Sequence, residues 1–115
     1  MRMLDATTEK LATSWISSSI FKWLEQQPVH IEWLESFTNA KTNGGRDAMR
    51  RTGRAWSEGF VVKLTSLDDS TSSRTVTFDV ITNEGGGLYG YAIEFSGTIT
   101  LKELKEYFTR IIKNL

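Results

Sequence analysis

The chain contains no cysteine, one proline and a single histidine, His30, and its charges cancel at 14 Lys+Arg against 14 Asp+Glu. Without cysteine there is no disulfide framework, thiolate zinc site, iron–sulfur centre or cysteine nucleophile. One imidazole also removes most other metal sites and acyl-transfer triads, which usually recruit histidine. Zero net charge means that electrostatic recognition has to come from local clustering. No apolar run approaches the roughly 20 residues of a membrane span, so no membrane contact is expected. The opening stretch, Met1 to Lys10, turns polar where a secretory leader needs about 7–15 apolar residues, which gives a cytoplasmic expectation.

What the chain does have is an ordinary globular composition: 115 residues, 39% hydrophobic, with four Trp, three Tyr and six Phe. That length removes roughly two-thirds of the unfolded surface from water. The expectation is one α+β domain over 1–115, with no interdomain linker or repeat.

Residues 8–27 carry a helical period, with Ala12, Ile16, Ile20, Trp23 and Leu24 in one arc and Lys10, Ser14, Ser17 and Glu25 opposite. Phe21 falls among the polar residues, so it is either covered by another element, the favoured reading, or an exposed contact. Pro28 ends or kinks this helix. A second, shorter helix is predicted over 28–40, where Val29, Trp33, Phe37 and Ala40 share a face and Asn43-Gly44-Gly45 follows as a stop. Val29, Ile31 and Trp33 also alternate, which is the competing strand pattern.

Three strands are predicted at about 54–66, 73–82 and 88–97, giving a three-stranded antiparallel sheet. Phe60, Val62 and Leu64 alternate in the first, Val76, Phe78 and Val80 in the second, and Tyr89, Tyr91, Ile93 and Phe95 in the third. Asp68 to Ser73 and Asn83 to Gly87 are the hairpin connections. Over 101–114 the period returns to helical: Leu101, Leu104, Tyr107, Phe108, Ile111, Ile112 and Leu115 form a stripe suited to cover the sheet. Thr100 and Glu103 stand in the spacing of a capping box. This α, β, β, β, α order is shared with double-stranded-RNA-binding domains, which begin the last helix with a lysine-rich motif. Here that position reads Leu101-Lys102-Glu103-Leu104-Lys105-Glu106, which is charge-balanced, and no family is assigned.

The one concentration of charge is the segment 41–54, where Lys41, Arg46, Arg50, Arg51 and Arg54 face the single anion Asp47. Arginine forks grip phosphate or carboxylate with two parallel bonds, and like charges at i,i+4 repel unless something compensates them. One reading is a docking surface for an acidic protein face, RNA or DNA. The other is a solvated connection whose guanidinium groups pair with Glu32, Glu35 or Asp79. Trp56, the aromatic nearest the cluster, takes the apolar side, which counts against base stacking.

Other motifs carry less. Gly85-Gly86-Gly87-Leu88-Tyr89-Gly90 has the glycine spacing of a dinucleotide loop, but a strand follows it where the chemistry needs a helix N-terminus; an accessible hairpin is expected. His30 reads as a histidine at the core margin. Asp68-Asp69 reads as a solvated turn, having too few spaced oxygens for a cation loop. Glu84 and Glu94 form an acid pair of no specificity. The far side of the sheet mixes Val61, Ile81, Leu88 and Ala92 with Lys63, Thr75, Thr77, Asp79 and Glu94; left uncovered, it suits a partner or a second copy of the chain. The first or last strand is a candidate open edge. The function expected is thus a small, cofactor-free, non-enzymatic binding or accessory protein. It recognises another macromolecule, in first place a protein, through the arginine segment and a sheet face or edge. Nucleic-acid binding through phosphates is the alternative.

Overall fold

A computed structural model of the chain describes residues 15–38, 56–82, 88–93 and 97–115. In chain order these form α1 (Trp15–Glu25), β1 (His30–Thr38), β2 (Trp56–Thr65), β3 (Ser73–Thr82), β4 (Leu88–Ile93) and α2 (Leu101–Lys113). The fold is α+β with a four-stranded antiparallel sheet in the order β1-β2-β3-β4 and two helices. The expectation of three strands and two N-terminal helices is corrected in one place: residues predicted as the second helix are the first strand.

α1 stops where the sequence says it should. The amides of Gln26 and Gln27 donate back to the carbonyls of Trp23 and Leu24 at 3.1 and 3.0 Å, and Gln27 Nε2 donates to Trp23 O at 2.9 Å. Pro28 follows, and it disfavours helical geometry in the residue before it. From Val29 the chain is extended. Val29 and Trp33 are buried, Ile31 is half-buried against the same core, and His30 and Glu32 are exposed, so the period is two rather than 3.6. Pairing with β2 decides between the two patterns, because the strand joins the sheet's hydrogen-bond ladder and puts Val29, Ile31 and Trp33 together against the core.

β1 and β2 run antiparallel from His30↔Thr65 to Thr38↔Glu58, with a one-residue shift between Trp33 and Glu35 that leaves Leu34 as the extra residue of a bulge. The bulge has a consequence for side-chain direction. In regular alternation Glu35 shares the face of Trp33, towards the core; with Leu34 inserted it pairs with Val61 on the opposite face and stays in solvent. β2 and β3 pair without interruption from Trp56↔Thr82 to Thr65↔Ser73, and β3 pairs β4 from Phe78↔Ile93.

One face of the sheet holds the core. Trp33, Phe60, Val62, Leu64, Val76, Phe78, Val80, Tyr91 and Ile93 meet Ile20, Phe21 and Leu24 of α1 and Leu104, Phe108 and Ile111 of α2. The aromatic rings run in a chain across it. Phe21 meets Trp33 and Phe60 edge-on, Phe60 packs on Phe78 at 5.7 Å between centroids, and Phe78 meets Phe108 edge-on at 5.5 Å. Such pairs contribute about 0.5–1.5 kcal/mol each beyond area burial. Phe21, out of phase with the apolar arc of its own helix, is covered by β1 and β2 and only 5% exposed.

Beyond β4 the chain returns alongside it. Tyr91 and Ile99 exchange two backbone hydrogen bonds of 2.9 and 2.7 Å. α2 then starts at the box the sequence announced: Glu103 N donates to Thr100 Oγ1 at 3.1 Å, and Thr100 N donates to Glu103 Oε1 at 3.0 Å. The Thr100 amide, together with the Thr100 hydroxyl that donates to the same Oε1 at 3.1 Å, favours the ionised carboxylate and holds Glu103 below its ordinary pKa.

Candidate binding surface

Lys41, Arg46, Arg50, Arg51 and Arg54 all lie outside the described residues, as do Glu84, Glu94 and residues 85–87 of the glycine motif. The strands that flank them nonetheless fix where these segments attach. Residues 39–55 join the end of β1 to the start of β2, and residues 83–87 join the end of β3 to the start of β4. Since Thr38 pairs with Glu58, Trp56 with Thr82, and Thr82 with Leu88, all four attachment points sit at one end of the sheet. The connection between β2 and β3, with Asp68 and Asp69, sits at the other end, next to His30.

With α1 and α2 on the core face, the second face of the sheet divides into two parts. Towards the end that carries residues 39–55 and 83–87, Ser57, Gly59, Asp79, Ile81, Gly90 and Ala92 are buried, and Tyr89 packs on Ile81 and Ala92. Towards the opposite end, Val61, Lys63, Thr65 and Thr77 are partly exposed, while Ser73, Thr75 and β1's His30, Glu32 and Glu35 are exposed. This open half is mixed in character: a valine and threonines in the middle, a cation at Lys63, and two carboxylates along the β1 side. The expected partner-facing side of the sheet is therefore only half available, since Ile81 and Ala92 are removed from the surface.

Asp79 marks the boundary. It is completely buried and has Gly59 on one neighbouring strand and Ala92 on the other. Neither neighbour carries more than a methyl group, so cross-strand side chains leave room beside the carboxylate. A buried carboxylate is costly unless hydrogen bonds or an opposite charge compensate it. Its sequence context, Thr77-Phe78-Asp79-Val80, reads as an outward-facing polar position. Its burial is a property of the folded sheet that this context does not announce.

His30 is exposed at the first position of β1, not at the core margin. The nine residues of β1 separate it from the end carrying residues 83–87, a span of about 26 Å at ~3.3 Å per strand residue. His30 thus stands at the opposite end of the sheet from Thr82 and Leu88, the attachment points of residues 83–87. Gly90 is likewise not an accessible hairpin residue. It is buried within β4, where a Cβ would lie 2.5 Å from Thr98 Cγ2 and 3.2 Å from Ile99 O, so the close return of residues 98–99 requires glycine there. Asp69 is the expected solvated turn: its Oδ1 accepts from Thr71 Oγ1 at 2.6 Å and Thr71 N at 3.0 Å, which lowers its pKa.

Of the sheet's two margins, β1 pairs with β2 alone among the described strands, whereas β4 meets Ile99 on its outer side. Among the described residues β1 is thus the margin without a second strand neighbour; the first strand expected from the sequence, 54–66, is β2 and lies inside the sheet, and the expected last strand, β4, is flanked by Ile99. β1 carries exposed Glu32 and Glu35 and the Leu34 bulge, all devices that discourage indiscriminate strand addition. A concavity along the outer side of α2 is walled, among the described residues, by Leu101, Lys102, Lys105, Glu106, Thr109 and Arg110. Lys105 Nζ also stands 5.8 Å from the ring centroid of Trp23. Among the described residues no cluster of His, Asp and Glu is arranged to hold a metal ion, and no helix is long and apolar enough to cross a membrane. No protein-family model, curated protein or solved structure matches the chain.

Proposed function

We propose that this chain is a small binding or accessory module that recognises another protein. In this reading the partner spans the open half of the sheet's second face, along the β1 edge, and the arginine segment Lys41, Arg46, Arg50, Arg51 and Arg54. The observation that carries the reading is the one-sided placement of the helices. Both pack on the core face, and Val61, Lys63, Thr75 and Thr77 keep solvent exposure on the other. The arginine segment attaches to two strands of this face, β1 and β2, at the end away from its open half, so the reading requires a partner long enough to reach along the sheet.

The test is affinity capture from native extract with the wild type and with Arg50→Glu/Arg54→Glu, folding being verified by circular dichroism. Loss of a partner that the wild type recovers is the expected result. Unchanged recovery removes the arginine segment from the interface.

Five cations against one anion over 41–54 favour phosphate contact as the second reading. It requires oligonucleotide binding that weakens steeply with salt and is lost when Arg46, Arg50, Arg51 and Arg54 are neutralised to Gln. A single small patch on a neutral chain is expected to bind only in the ~10⁻⁴–10⁻⁶ M range of non-specific contacts. Absence of binding to single-stranded and duplex probes at low ionic strength ends this reading.

A further inference from the structure

We draw no further inference here: the strongest candidate, the concavity along the outer side of α2 between Leu101 and Arg110, is walled among the described residues by side chains of that one helix, and nothing in the structure points to what occupies it.

Discussion

The ring of Phe21 stands edge-on to that of Trp33, with centroids 4.7 Å apart and planes inclined at 64°. This contact fastens α1 to β1, which among the described strands pairs with β2 alone. Trp33→Ala removes the indole from between Phe21, Phe60 and Phe78. The expected cost is about 3–5 kcal/mol, the range for truncating a buried aromatic. Chemical denaturation measures it, and a loss below about 1 kcal/mol contradicts the anchoring role.

Gly90→Ala places a methyl group against Thr98 and the Ile99 carbonyl. Overpacking of this kind costs about 1–3 kcal/mol. The double variant Gly90→Ala/Thr98→Ser, which removes the opposing methyl, is expected to recover part of it. Equal melting temperatures for Gly90→Ala and the wild type would show that residues 98–99 do not approach β4 this closely.

Tyr91 is buried on the core face and its hydroxyl has no hydrogen-bond partner among the described residues. Burial disfavours the phenolate and pushes the pKa above its ordinary value. The sign follows directly. Below about pH 10, the unfolded-state value, both states are protonated and this group leaves stability unchanged with pH; above it the unfolded chain ionises first and stability falls. Tyr91→Phe is expected to flatten the alkaline limb of stability against pH while changing stability little at pH 7, because the hydroxyl it removes is buried without a partner. Identical alkaline limbs in the two proteins would refute this.

Deleting Leu34 leaves every other β1–β2 pair in register, since Trp33 already pairs with Val62 and Glu35 with Val61. The fold is expected to survive and the edge to become regular. Self-association should therefore rise, by the logic that bulges blunt open edges. Sedimentation velocity at increasing concentration is the measurement, and an unchanged monomer fraction would show that the bulge does not guard the edge.

The parts of this fold that are local were legible in the sequence. The box of Thr100 and Glu103, the stripe of α2 and the limits of β3 depend on neighbours three or four positions away or on simple alternation, and they stand as read. β1 was misread because Val29, Trp33 and Phe37 are spaced by four, a distance in phase with both a strand and a helix turn. Ile31 was the discriminating residue: a helix turns it away, a strand points it inward, and it packs on the core. The bulge at Leu34 hid the strand further by breaking alternation at Glu35. Asp79 could not be placed from its own segment, because alternation puts it on the far face with Thr75 and Thr77, and only the fold shows that its end of that face is buried. At the candidate surface, the far side of the sheet is exposed over only the half that holds Val61, Lys63, Thr75 and Thr77, the edge belongs to residues whose spacing suggests a helix rather than to the expected first strand, and the arginine cluster lies outside the described residues.

The account rests on the partner meeting the open half of the second sheet face, and paired charge variants of a recovered partner's binding test it most directly. Thr75→Glu/Thr77→Glu alters that face, and Lys102→Glu/Arg110→Glu alters the outer side of α2 on the opposite layer. With both proteins folded, titration calorimetry is expected to give at least a tenfold weaker Kd for the first and an unchanged Kd for the second, tenfold being about 1.4 kcal/mol. Unchanged binding by Thr75→Glu/Thr77→Glu, with loss in Lys102→Glu/Arg110→Glu, would move the interface to the helical layer and contradict the account.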